Sequence, residues 1–283
     1  LRLVSAYGTG YGFGAAFAAY KKFGDKATYI PCSNRTEPPE GLINKEIYIL
    51  DFSYPKEVLL DLEKTNKKVV IIDHHISAKE AVESLREHIF SMNHSGAYLA
   101  WEYFVSKEIP ALIVMLEIID LNKDKSHEHA DVITYILSKE YTFEAYEKLL
   151  HDFEAPSMVD SIRMLGKAQN DYLELMIESI IEKPDFVIFE GYTIPCVNAS
   201  LPINEKSIML RKLYQLYPPF SMSYRFDDGF LKVSLRSDGT FDVAMLASKY
   251  GGGGHKGSAG FIVKADLPLP FAKKAIKEEP LLK

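Results

Sequence analysis

Val69-Val70-Ile71-Ile72-Asp73-His74-His75 is an apolar run closed by an acid and two imidazoles. The run is a strand. Upstream, Glu46-Ile47-Tyr48-Ile49-Leu50-Asp51 repeats the pattern, a second apolar strand closed by an acid. Such strands alternate here with helical stretches, the mark of a parallel sheet with crossover helices. In open α/β sheets the carboxyl ends of the strands line the ligand crevice, so Asp51 and Asp73 point at one site. An acid and two imidazoles at that edge can hold a metal ion and a phosphate together.

Working outward, Arg2 to Tyr7 reads as a buried first strand, followed by a glycine-rich turn and a helix from Gly12 to Phe23. Ala27 to Ile30 is a short strand, and Pro55, a favoured first helical residue, opens the helix after Asp51. From Ser95 to Ile181 apolar residues recur at spacings of three and four, which predicts helices, one opened by Ser95-Gly96-Ala97 and another by Pro110. The amphipathic stretch from Ser157 ends at Lys183-Pro184, a helix boundary. Strands then return at 186–189, 221–226 and 230–235, the last two joined by the hairpin signal Asp227-Asp228-Gly229. Helices are predicted at 205–217 and 241–250. The organisation expected is a parallel-sheet domain over 1–155 with a helical extension, a connector helix over 156–183, and a smaller mixed α/β domain over 184–283, with the site in the cleft between the domains.

Composition narrows the class of function. A chain 47% hydrophobic and 25% charged folds, and is not disordered. Its net charge of -6 gives no global field for a polyanion, so any nucleic-acid contact needs a local cationic patch. The patch on offer is Arg211, Lys212, Arg225, Lys232, Arg236, Lys249 and Lys256. Two cysteines, Cys32 and Cys196, make no disulfide framework and fit a reducing intracellular compartment, cytoplasm or organelle matrix. No apolar run approaches the roughly 20 residues that span a bilayer. Leu1 already opens on a strand-like run, which leaves room for an initiating or targeting segment before it.

Three lesser signals have bland readings. Gly10-x-Gly12-x-x-Ala15 meets a loose dinucleotide fingerprint, but the next strand ends in Cys32-Ser33-Asn34-Arg35 without the confirming acid. Phosphate binding at that helix N-terminus fits better. His127 and His129 are two apart, do not share a helix face, and read as a solvated helix start. The glycines from Gly251 to Gly254 lack the Lys-Ser/Thr of a Walker loop.

Ile72-Asp73-His74-His75, followed about 180 residues later by Gly251-Gly252-Gly253-Gly254-His255, resembles the DHH phosphoesterase superfamily with a C-terminal DHHA1 domain. Supporting matches are Ile49 to Pro55, Ser95-Gly96-Ala97 with Ala100 to Phe104, and Ser234-Leu235-Arg236-Ser237, so the similarity runs in order along the chain. The resemblance implies two Mn²⁺ or Mg²⁺ ions that activate a water for attack on phosphorus. It assigns Asp51 as a bridging ligand, His74 as a ligand, Asp73 as the group orienting His74, and His75 as the group facing the phosphate. Arg236, Ser237, Gly253, Gly254 and His255 match the substrate-holding set.

The chain departs from this pattern where the remaining ligands should stand. The first strand-to-helix turn keeps Gly12-Phe13-Gly14-Ala15-Ala16, but its ligand positions hold Ala6, Gly8 and Tyr11, and the fourth motif offers Ile118. Asp120 is two residues further on, a turn of about 200° on a helix, and so a poor substitute. Of the six ligands implied, two remain. Two cations roughly 3.5–4 Å apart need several carboxylates, so the expectation is a protein that has lost its metal pair and kept a phosphate-holding surface. It would bind a nucleotide, a short single-stranded nucleic acid or an RNA-containing complex, with no membrane partner and no cofactor. The rival expectation is a hydrolase retaining one Mn²⁺ or Mg²⁺ on Asp51 and His74, or working through His75 alone. A scaffold that binds only protein is the third.

Overall fold

The computed structural model describes residues 2–7, 10–32, 37–121, 123–124, 128–201, 203–266 and 269–273. They form two compact units, 1–170 and 171–283. In the first, β1 (Arg2–Tyr7), β2 (Ala27–Cys32), β3 (Glu46–Leu50), β4 (Lys68–Asp73) and β5 (Glu87–Phe90) make one parallel sheet in the order β2-β1-β3-β4-β5. The chain leaves β1 toward β2 and returns to β1's other side with β3. This reversal makes the carboxyl edge between β1 and β3 the switch point where ligands lodge in such sheets.

Alternation along β3 and β4 splits their side chains between two cores. Tyr48, Leu50, Val70 and Ile72 join the larger one, with α1 (Gly10–Phe23) and the helical extension. Ile47, Ile49, Val69 and Ile71 join the other, under α2 (Lys56–Thr65) and the short α3 (Lys79–Val82). The extension consists of α4 (Gly96–Phe104), α5 (Ala111–Asp120), α6 (Ala130–Leu137), α7 (Phe143–Glu154) and the first half of α8 (Pro156–Ile181). Close packing of α1 rests on small residues. A Cβ at Gly14 would stand 2.6 Å from Leu116 Cδ1 and 3.0 Å from Ala97 Cβ.

α8 crosses from one unit to the other without a break. Ile162 belongs to the first unit's core, while Ile177 and Ile181 pack on Met209, Leu210 and Leu213 of the second. That second unit is a mixed sheet in the order β10-β11-β9-β8-β7-β6-β12. Its strands are β6 (Asp185–Phe189), β7 (Tyr192–Asn198), β8 (Ser221–Asp227), β9 (Phe230–Arg236), β10 (Gly253–His255), β11 (Ser258–Lys264) and β12 (Ala272–Lys273). Its helices are α9 (Ile203–Leu216) and α10 (Val243–Ser248). In β9, Leu231, Val233 and Leu235 are buried with α10, and the residues between them take the opposite face.

The α/β architecture expected from the sequence is present. Pro55 caps α2 instead of opening it, with an extended backbone (ψ 147). Five strands go beyond the sequence reading: β5, β7, β10, β11 and β12. Pro195 in β7 is tolerated because the ladder to β8 begins only at Cys196. Cys32 and Cys196 are buried and lie in different units. Among the described residues no helix is long and apolar enough to cross a membrane.

Candidate functional site

Asp51 sits one residue past β3 with its backbone in the left-handed region (φ 61), and its N–H donates to the Ile72 carbonyl at 2.8 Å. It is 2% exposed. The first residue of α4, Gly96, lies directly against it, and a Cβ there would be 2.5 Å from Asp51 Cγ. Glycine is required by this approach, which brings the positive end of α4 to the carboxylate.

Asp73 is fully buried at the end of β4. Its Oδ1 accepts from the His74 N–H at 2.7 Å, the His75 N–H at 3.3 Å and His75 Nδ1 at 2.7 Å. Asp73 therefore grips His74 by its backbone and not, as the sequence suggested, by its ring; the ring it orients is that of His75. That hydrogen bond raises the His75 pKa, outweighing partial burial, and leaves Nε2 of a half-exposed imidazole as the outward group.

His74 is buried, with Nε2 3.2 Å from Asp51 Oδ1 and 3.2 Å from Asp120 Oδ2. Asp120 is thus part of the site, against the rotation argument from Ile118. The physical reason is the buried stripe of α5. Ile113, Leu116 and Glu117 face inward, and Asp120 continues them at spacings of three and four, with its side chain only 9% exposed.

The three groups meet by distance but not by hydrogen-bond angle. Among the described residues Asp51 Oδ1 and His74 Nε2 have no hydrogen-bond partner, and neither has Asp73 Oδ2. Burial disfavours the His74 imidazolium, yet Asp120 and Asp51 outweigh it and hold its pKa at about 10. Burial pushes Asp51 up to about 6, Asp120 adding and His74 opposing. A proton on His74 thus supplies the positive charge that the two carboxylates demand.

Asp51, Asp73, His74 and His75 offer ligand atoms within 4.8 Å of one another, and Asp120 lies across His74. Asp73 Oδ1 is committed to His75 and two backbone N–H groups, but Oδ2 is not, so the atoms placed for a hard divalent ion are those of Asp51, Asp73 and His74, with Asp120 beside His74. Orphaned buried donor atoms on Asp51 and His74 fit one ion. Ala6, next to the last residue of β1, carries a buried methyl and Ile118 has no donor atom, so neither can ligate a metal. Gly8, the Tyr11 side chain, Ser33, Asn34, Arg35 and His127 lie outside the described residues. His129 pairs with Asp124 at 3.3 Å beside the start of α6 and takes no part in the site. Beyond His75 opens a pocket of about 480 Å³, walled by Phe52, Tyr54, Lys56 and Ser77 among others.

In the second unit the register aligns polar residues on the face of β9 opposite α10. Ser221, Arg236, Ser258 and His255 follow one another across β8, β9, β11 and β10. The next row is Ser223, Ser234, Gly260 and Gly253. Arg236 in these rows is half-buried and His255 exposed, while Ser221 and Ser223 are buried, Ser221 donating to the Leu210 carbonyl of α9 at 2.7 Å. Arg236 Nη2 donates to Ser207 Oγ at 2.9 Å and Nη1 to the Leu235 carbonyl at 2.9 Å, with no carboxylate partner among the described residues. Gly253 has open space where a side chain would go, whereas Gly254 (φ 144) is held against Ser258 and Ala259. Ser237 differs from the expectation for it. Its hydroxyl donates to the Phe241 carbonyl at 2.7 Å and accepts from the Gly239 N–H at 3.1 Å, so it braces the loop.

Residues 216–279 match the DHHA1 domain family. Over 291 residues the chain is 27% identical to the uncharacterized protein R106 of Acanthamoeba polyphaga mimivirus, covering 91% of this chain and 67% of that protein. The pGpG-specific phosphodiesterase PggH from Vibrio cholerae superposes with a TM-score of 0.53 at 15% identity, covering 93% of each chain. Exonuclease RecJ bound to manganese superposes with a TM-score of 0.50 at 14% identity, covering 92% of this chain and 85% of that one. At these identities the superpositions speak for the fold, and the C-terminal match names the second domain. The chain thus has the fold shared by these structures, and its residues 216–279 match the DHHA1 domain.

Proposed function

We propose that this protein binds the phosphates of a nucleotide or a short single-stranded nucleic acid, and that its N-terminal unit holds one divalent cation, Mn²⁺ or Mg²⁺, in place of a pair. The reading rests on one observation: the buried His74 Nε2 stands 3.2 Å from both Asp51 Oδ1 and Asp120 Oδ2 without a hydrogen bond to either. Asp51 and His74, with Asp120 beside them, would hold the ion, which would supply positive charge to a bound phosphate. A two-ion clamp on attacking and leaving oxygens would need further carboxylates or imidazoles where the sequence has Ala6, Gly8, Tyr11 and Ile118, so rapid phosphoester hydrolysis is not expected. Metal binding requires His74 to give up its proton. His75, fixed through Nδ1 by Asp73, presents Nε2 to a phosphate oxygen, while Arg236 and His255 serve a phosphate on the second unit. PggH and RecJ act on nucleotides or nucleic acids in similar folds, which supports a ligand of this class here.

Calorimetric titration of the purified protein with Mn²⁺ tests this. One ion per chain is expected, weakened about 10-fold or more by Asp120→Asn and by Asp51→Asn. Cleavage of a short RNA is expected to be no faster than in Asp51→Asn. Two ions per chain, or Mn²⁺ binding indifferent to Asp120→Asn, would refute the single-ion site.

A further inference from the structure

α8 turns one face inward along its length. Ile162 packs into the first unit's core, Gly166 passes close to the Asp131 backbone carbonyl, and Ile177 and Ile181 pack into the second unit's core. A second apolar face lies about 150° away around the helix. It consists of Met164, Leu165, Ala168, Tyr172 and Leu175, with the half-exposed Met176 at its edge. Met164, Leu165, Tyr172 and Leu175 are 48–70% exposed, and Ala168 is exposed with them. From Leu165 through Ala168 and Tyr172 to Leu175 the spacings are three, four and three, the period of a coiled-coil seam. Ser161 and Ser179 stand where the seam would continue, so it runs for roughly 18 Å.

Covered completely, these six side chains would remove roughly 600 Å² of surface per copy, at the upper end of what a monomer leaves open in one patch. Two such patches amount to about 1,200 Å², the smallest area usual for a stable, specific interface. The seam also complements itself. Turned end for end about residue 170, a second copy brings its Tyr172 over Ala168, its Leu175 over Leu165 and its Met176 over Met164. The largest side chain then meets the smallest, the alternation that close packing favours. In this orientation each edge of the seam meets the same edge of the other copy. One edge is charged, with Lys167 and Asp171, and the other, with Gln169, is not. End for end, Lys167 comes beside the partner's Asp171, whereas a parallel pair would set the charged edge against the uncharged one.

We infer that this face of α8 is a homodimer interface, in which the two copies of the helix pack antiparallel with each Tyr172 seated over the partner's Ala168.

Sedimentation velocity of the intact chain over a wide range of concentration is expected to show a dimer with a dissociation constant on the order of micromolar. Tyr172→Glu and Leu175→Glu each enter the interface twice and should weaken it about 100-fold or more, with thermal melts confirming that both variants are folded. Direction is read by oxidising Leu165→Cys and Leu175→Cys proteins, each alone and then mixed. The mixture should form a disulfide-linked dimer and neither protein alone should do so; the unsubstituted chain, whose Cys32 and Cys196 are buried, is the control. A chain that stays monomeric at every concentration, or a dimer indifferent to both glutamates, overturns the interface. Cross-linking of each cysteine protein with itself, or none in the mixture, overturns the antiparallel pairing.

Discussion

Gly96 and Asp51 share a space that admits one side chain. A methyl at Gly96 must displace either the Asp51 carboxylate or the first turn of α4. Gly96→Ala should therefore destabilise the protein by about 2–3 kcal/mol, a typical overpacking cost. The further change Asp51→Gly should recover most of that loss, because it removes the clashing carboxylate and suits the left-handed backbone. Chemical denaturation of the two single variants and the double one measures this. At this scale the strand-end residues were legible: an apolar run has to stop somewhere, and Asp51, Asp73, His74 and His75 stand where it stops. Asp120 was not, because alignment to Ile118 fixes a position in sequence while the stripe Ile113, Leu116 and Glu117 fixes a direction in space. Ser237 misled for the converse reason, since a hydroxyl beside Arg236 looks ligand-facing until its partners within the loop are seen.

Elements defined by period were readable, and elements defined by pairing were not. β3, β4 and β9 announce themselves through continuous or alternating apolar residues. β10 and β11 are held by register to β9 and by a glycine approach that has no hydrophobic signature. The turn between β6 and β7 depends on one such contact. Glu190, at φ 51, accepts from Lys249 and from the Tyr250 hydroxyl just past α10. Burial, with Glu190 adding, raises the Tyr250 pKa to about 12, while Lys249 and Tyr250 lower that of Glu190. The tyrosine's contribution is thus complete below its unfolded value near 10 and fades as pH climbs toward about 12. That of the glutamate is complete above about 4.3 and fades in acid. Tyr250→Phe should flatten the alkaline decline in melting temperature and Glu190→Gln both declines, each costing at most about 1 kcal/mol at neutral pH. Melting curves across the pH range check this.

Two units with separate cores should not unfold as one. Differential scanning calorimetry is expected to show a measured enthalpy larger than the van't Hoff value. Mn²⁺ at about 100 times its dissociation constant should lift only the first unit's transition, by about 2.7 kcal/mol. A single cooperative transition shifted whole by Mn²⁺ would show that the two cores melt together. Where one unit yields to the other was hidden in the sequence because α8 keeps its amphipathic period while its contacts change from Ile162's core to that of Ile177. Charge is divided as unevenly as function. The second unit carries 14 basic and 14 acidic residues, so the whole net charge of -6 belongs to the first. An acidic surround suits a cation site.

The left-handed backbone at Asp51 also restricts which sequences can occupy this position. Among residues with side chains, Asn and Asp enter that region most readily, and glycine enters it freely. If codon 51 were randomised and variants kept for folding alone, the survivors should be Asp, Asn and Gly. If they were kept for Mn²⁺ retention, Asp alone should remain. The gap between those two outcomes would measure how much of this position is held by geometry and how much by the ion.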